Sequence, residues 1–186
     1  MSQYLDILLR PDPEIAPHQL MAALYAKLHL ALVKLENSTI GVSFPDYADK
    51  PASLGHRLRV LGSKADLERL MALPWLRGLQ DHINLSAVAS VPSHVGYRRF
   101  SRVQVKSSPA RLRRRQMKRH GLTEEEAHAR VPDGSAETLT LPFVTLRSAS
   151  TAQTFRLFLR CDSVIAAANG VFNTYGLSTT ATVPWF

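Results

Sequence analysis

The run from Tyr4 to Phe44, YLDILLRPDPEIAPHQLMAALYAKLHLALVKLENSTIGVSF, decides the fold. Tyr4 to Leu9 is a short apolar stretch halted by Arg10-Pro11-Asp12-Pro13, which predicts a strand. From Pro17 to about Glu36, Leu20, Leu24, Leu28, Ala31, Leu32 and Leu35 recur at helical spacing, so one side of a long helix is apolar. Thr39 to Phe44 predicts a second strand, stopped by Pro45-Asp46. Further along, Arg57 to Leu61 alternates as a half-exposed strand does, Ser63 is placed to cap a helix reaching Leu73, and Ile83 to Val88 predicts another strand. The order βαββαβ is the ferredoxin-like pattern, and residues 1–94 are expected to form that domain.

Residues 95–186 have a different texture and are expected to form a C-terminal α+β domain, which makes the whole chain α+β. Pro92 to Arg99 looks like a link. Leu122 to Val131 opens with Thr123-Glu124-Glu125-Glu126 and predicts a short helix, followed by a turn at Pro132-Asp133-Gly134-Ser135. Strand candidates are Phe143 to Ser148, Phe155 to Cys161, Phe172 to Leu177 and the terminal Thr182 to Phe186.

Charge is concentrated rather than spread. The 186 residues carry a formal net charge of +8 from 23 Lys and Arg against 15 Asp and Glu. Arg98, Arg99, Arg102, Lys106, Arg111, Arg113, Arg114, Arg115, Lys118 and Arg119 fall in one stretch without an acid, so the rest of the chain is close to neutral. Ser108-Pro109 reads as N-cap and first helical residue, and Gly121 as the stop, which predicts an Arg-rich helix over 108–120. On it Arg111, Arg114, Arg115, Lys118 and Arg119 share one face. A solvated face normally mixes signs. This one does not, and arginine's planar fork suits phosphates and guanine edges, so the expected partner is a nucleic acid. A membrane is not expected, because Leu112 and Met117 are too little apolar surface for a helix lying on lipid.

Other classes of chemistry lack their parts. The single cysteine, Cys161, excludes a disulfide framework and a Cys-rich zinc module. The seven histidines show no metal-ligand spacing, and neither a Gly-rich phosphate loop nor Gly-x-Ser-x-Gly occurs, so no metal and no cofactor are expected. The opening Met-Ser-Gln-Tyr-Leu-Asp has no basic region of a secretory signal, and no apolar run reaches the ~20 residues of a membrane span, so the expected setting is the cytoplasm.

His29 lies roughly 120° from the centre of the first helix's apolar face, beside Tyr25. It is either an inert boundary histidine or a general base, since an imidazole titrates near neutral pH unaided. Ser148 and Ser150, in Leu146-Arg-Ser-Ala-Ser-Thr151, suit a polar hairpin turn, Tyr175 a half-buried aromatic, and Phe155 the core.

Taken together, these residues resemble a known family. The Tyr-Leu-Asp-Ile…Arg-Pro-Asp-Pro start, His29, Ile40-Gly-Val-Ser-Phe-Pro45, Ser101-Arg-Val-Gln-Val-Lys106, the Arg-rich helix, Leu141 to Ser148, Phe155-Arg-Leu-Phe158, Tyr175-Gly-Leu-Ser and the terminal Val-Pro-Trp-Phe occur in order along nearly the whole chain. This resembles the repeat-processing endoribonucleases of subtype I-F CRISPR systems, the Cas6-type or Csy-type family. The resemblance implies metal-independent cleavage of CRISPR precursor RNA at the 3′ base of each repeat hairpin, leaving a cyclic phosphate. It also implies retention on the guide RNA's 3′ stem-loop beside the other subunits of a type I-F surveillance complex. By the same resemblance His29 is catalytic, Ser148 holds the ribose of the attacking 2′-hydroxyl, Tyr175 orients the histidine and Ser150 supports. Arg102 and Gln104 would read base edges at the foot of the stem, and Phe155 would stack on the terminal pair. Arg111, Arg114, Arg115, Lys118 and Arg119 would line the helix laid in the major groove. The alternatives are a non-catalytic hairpin-binding subunit of the same complex, and a general nucleic-acid binder that takes duplex DNA equally well at matched salt.

Overall fold

The computed structural model describes residues 1–104, 109–132, 139–148 and 151–186. They group into two compact units, residues 1–103 with 141–186, and residues 104–140. The breaks therefore fall at 103/104 and 140/141, whereas the sequence suggests 94/95. The reason is the core: Ile7, Leu24 and Leu58 from the first half and Phe100, Leu157 and Val183 from the second bury their side chains in one continuous cluster.

In the larger unit, β1 (Gln3–Leu9), α1 (Pro17–Leu35), β2 (Gly41–Ser43), the small hairpin β3 (Ala48–Asp49) and β4 (Ala52–Ser53), β5 (Arg57–Gly62), α2 (Lys64–Met71), β6 (Ile83–Leu85) and β7 (Ala89–Ser90) follow in order. The first sheet runs β2-β5-β1-β6, with β7 also on β1, and every pairing is antiparallel. Strand period does the sorting. Leu5, Ile7 and Leu9 point into the core, while Asp6 lies opposite Arg59 of β5. Arg59, 4% exposed, donates to both Asp6 oxygens at 2.7 and 2.8 Å and to the Phe186 carbonyl at 2.7 Å. Its guanidinium also lies 4.6 Å from the Tyr4 ring centroid and 3.9 Å from that of Phe186.

Helix α1 buries Leu20, Met21, Leu24, Tyr25, Leu28, Ala31 and Leu32. Each large side chain there contributes about 1.5–3 kcal/mol relative to exposure. Ala16 offers no side-chain acceptor at the N-cap, so the cap is one-sided, Gln19 Oε1 accepting from the Ala16 amide. Glu36 closes the other end in the left-handed region. As expected, Ser63 caps α2, accepting from the Asp66 amide.

The second sheet joins β8 (Gly96–Val103), β9 (Phe143–Arg147), β10 (Thr154–Val164) and β11 (Val183–Trp185) in the order β11-β8-β10-β9, all antiparallel. Strand β8 replaces the expected link from Pro92 to Arg99. Only Phe100 of β8 is buried, so its alternation is masked by the arginines on either side. The stretch from Phe172 to Leu177 is a turn, not a strand. Asn173 Oδ1 accepts from the amides of Tyr175 and Leu177, and Gly176 has φ +69°. The two sheets meet through a run of rings: Tyr25 and Phe44 at 5.7 Å, Phe44 and Phe100 at 5.6 Å, Phe100 and Trp185 at 6.2 Å.

The smaller unit holds α3 (Pro109–His120) and α4 (Glu124–Arg130), packed together with Ala127 fully buried. Ser108, the expected cap of α3, lies outside the described residues. Thr123 caps α4 reciprocally with Glu126. Among the described residues no helix is long and apolar enough to cross a membrane.

Candidate active site and basic helix

His29 is half-buried near the C-terminal end of α1, on the margin of its apolar face as its position predicts. Its Nδ1 lies 2.9 Å from the Thr174 carbonyl oxygen. A carbonyl only accepts, so Nδ1 carries the proton and the neutral ring keeps its lone pair on Nε2. The Tyr175 ring lies flat on the imidazole, centroids 3.9 Å apart and planes within 6°. Two groups from one turn thus meet the imidazole, one at Nδ1 and the other on its face.

That turn is itself anchored. The Tyr25 hydroxyl, one helical turn before His29, donates to the Tyr175 carbonyl at 2.7 Å. Tyr25 is 1% exposed, and burial holds its hydroxyl well above the ordinary tyrosine range, so it stays a neutral donor. The Val42 amide of β2 donates to the Gly176 carbonyl at 3.0 Å. Tyr25, Asn173 and the Thr174 carbonyl belong to the site and are not picked out in the sequence. The spacing of four from Tyr25 to His29 is a signal for the first, whereas a main-chain carbonyl has none.

Ser148 follows β9, the strand packed on α1, and opens the turn into β10. Its Oγ accepts from the Thr151 amide at 3.2 Å, and its amide and carbonyl pair with the Gln153 carbonyl and the Ala152 amide, both at 2.9 Å. Ser150 lies outside the described residues.

The structure brings Arg102 and Phe155 together. They stand on neighbouring strands β8 and β10, with the guanidinium carbon 5.8 Å from the ring centroid and the ring half-buried. Gln104, directly after β8, is exposed. Two more of the clustered arginines are engaged by the sheet: Arg98 lies 5.0 Å over the Trp185 ring, and Arg99 Nη2 is 3.4 Å from Asp162 Oδ2.

On α3, Arg111, Arg114, Arg115, Lys118 and Arg119 are all exposed, and Arg111, Arg114, Arg115 and Lys118 line a shallow open recess. A neighbouring side, with Ala110, Arg113 and Met117, faces Glu124 and His128 of α4, and Arg114 borders both recesses. Among the described residues of this unit, the acids Glu124, Glu125 and Glu126 sit on the second helix, and the first presents a face of one sign.

The profile of the CRISPR-associated protein family Cas_Csy4 matches residues 4–186. The chain belongs to the Cas_Csy4 family. It is 55% identical over 187 aligned positions to the CRISPR-associated endonuclease Cas6/Csy4 of Pseudomonas aeruginosa strain UCBPP-PA14, covering all of both chains. It is 46% identical, again over the full length of both, to the CRISPR-associated endonuclease Cas6/Csy4 of Escherichia coli strain UTI89 / UPEC. A solved structure described as "An RAMP protein binding different RNA substrates" covers 98% of this chain and 100% of its own, at 11% identity and a TM-score of 0.35. Membership of the Cas_Csy4 family accords with the resemblance carried by the sequence motifs.

Proposed function

We propose that this protein is a metal-independent endoribonuclease that cuts CRISPR precursor RNA at the 3′ base of the repeat hairpin and stays on the guide RNA's 3′ stem-loop as a subunit of a type I-F surveillance complex in the cytoplasm. The observation that carries the proposal is the clamped imidazole of His29, with Nε2 left as its basic position, in a chain matching two CRISPR-associated endonucleases from end to end. In this proposal His29 Nε2 takes the proton of a ribose 2′-hydroxyl, the 2′-oxygen attacks the adjacent phosphorus, and the 5′-oxygen leaves and takes up a proton, producing a 2′,3′-cyclic phosphate. Ser148, assisted by Ser150, holds that ribose, and Tyr175 keeps the imidazole plane.

Residues 95–186 supply most of the RNA contacts. Arg102 and Gln104 read base edges, and Phe155 stacks on the last pair, an interaction of ~1–3 kcal/mol that marks where the duplex ends. The one-sign face of α3 suits the end of a short A-form stem, where the deep, narrow major groove opens enough for a helix. The ferredoxin-like assignment of residues 1–94 is supported by the β2-β5-β1-β6 order, with α1 and α2 as the crossovers.

Cleavage of the repeat hairpin in excess EDTA, wild type beside His29→Ala, tests the proposal. Cutting by the wild type alone, with equal binding by both, is expected. Deoxyribose just upstream of the cut should abolish cleavage and spare binding, and cleavage of that substrate refutes the 2′-hydroxyl route. Binding without cutting by either protein would make the chain a hairpin-binding subunit.

A further inference from the structure

Tyr25 is a buried hydroxyl that the proposed chemistry does not itself use. A phenylalanine would fill the same space among Leu24, Leu28 and Phe44, yet here the hydroxyl reaches out of α1 to a main-chain carbonyl 150 residues away. That carbonyl, of Tyr175, is the next one along from the Thr174 carbonyl that holds His29 Nδ1. Tyr25 and His29 lie four apart, so they stand one above the other on α1 and grip consecutive carbonyls of one turn. The Tyr175 ring stacks near both, its centroid 3.9 Å from that of His29 and 6.2 Å from that of Tyr25.

The other fastenings of the turn are internal or point elsewhere. Asn173 closes it on itself, the Gly176 amide donates to the Asn173 carbonyl at 2.8 Å, and the Val42 bond ties it to β2. Among these the Tyr25 bond ties the turn to the helix that carries the imidazole. A partner set this way decides which ring nitrogen bears the proton.

We propose that Tyr25 is a positioning residue for His29: by holding the Thr174–Tyr175 main chain against α1, its hydroxyl keeps the proton on Nδ1 and the lone pair on Nε2. The inference rests on His29 being the base, but its primary readout does not. In the RNA-free, 15N-labelled protein at about pH 8, where an ordinary histidine is neutral, the two ring nitrogens of His29 report the tautomer directly, and a His29→Ala spectrum identifies them. Wild type should show a protonated Nδ1 and an unprotonated Nε2. Tyr25→Phe, which keeps every ring carbon, should move both nitrogens toward the average of the two tautomers. It should also slow single-turnover cleavage of the hairpin by about 10- to 100-fold, the scale of a small misplacement of a catalytic group, and leave RNA affinity within about twofold.

A 4-aminophenylalanine at position 25 retains a weaker donor and should fall between the two proteins in both readouts. An unchanged Nδ1-protonated tautomer in Tyr25→Phe overturns the inference, whatever the cleavage rate. If the wild type binds the hairpin without cutting it, the nuclease assignment falls, and the nitrogen spectra still decide the role of Tyr25.

Discussion

Substituting Gly176 by alanine tests whether the turn beside His29 is held as tightly as its contacts indicate. Gly176 sits at φ +69°, and a Cβ built there would lie 2.7 Å from Val42 Cγ1 and 3.3 Å from the Val42 amide nitrogen. An ordinary carbon–carbon contact is about 3.5–4.0 Å, so relieving the first overlap needs a displacement of roughly 1 Å. Val42 is fully buried and cannot retreat into solvent. The left-handed conformation costs an alanine about 1 kcal/mol, and overpacking a filled site adds about 2 kcal/mol, giving roughly 3 kcal/mol. For a chain of this size that is a fall in Tm of about 6–12 °C.

Gly78 is the control. Its φ is +81°, but a Cβ there meets nothing within 4 Å, so Gly78→Ala carries the conformational cost alone and should lower Tm by about 2–4 °C. Because the Thr174 carbonyl moves with the turn, Gly176→Ala should also slow hairpin cleavage by up to about a hundredfold, the scale of a ~1 Å misplacement, while Gly78→Ala cleaves normally. Thermal melts and single-turnover rates on the two variants provide both readouts. Equal Tm losses in the two, or a wild-type rate for Gly176→Ala, would refute the reasoning.

Arg59→Ala should destabilise the protein by about 1–3 kcal/mol in urea titrations, because Asp6 loses both charged hydrogen bonds and keeps only Arg57, 3.8 Å away. Asp12, before α1, accepts from the amides of Glu14 and Ile15 and lies 3.0 Å from His82 Nδ1. Those two amide bonds and, more weakly, His82 hold its carboxyl below the usual 3.8. Its contribution is therefore complete above that pH and disappears as pH falls through the depressed value. The Tm gap between wild type and Asp12→Asn should be flat above pH 3.8 and close below it; a gap that widens in acid would contradict the assignment. On α3, Arg115→Ala should reduce the slope of log affinity against log salt by about one for the repeat hairpin if it meets a phosphate, and an unchanged slope would move Arg115 off the backbone.

Much of the larger unit is legible along the chain. The period of β1 and the leucine stripe of α1 announce themselves because both elements bury one face against a single core and expose the other. Ser63 and Pro17 mark helix starts by local rules that need no tertiary partner. The face shared by Arg111, Arg114, Arg115, Lys118 and Arg119 is equally local, since helical geometry alone lines it up. Strand β8 is hidden because it buries only Phe100 and carries arginines beside it, which read as part of a basic run. The stretch from Phe172 to Leu177 has the apolar content of a strand, and only the Asx clasp of Asn173 and the bend at Gly176 make it a turn.

The candidate site divides the same way. The sequence alone determined that an imidazole would stand at the edge of α1 and that a one-sign helix would form within the basic stretch, since both depend on residues close in the chain. Only the tertiary structure decided how that imidazole is held. The Thr174 carbonyl and the Tyr175 ring meet His29 across some 145 residues of chain, and a main-chain carbonyl is the same group at every position. Its power to set a tautomer comes entirely from where the fold puts it.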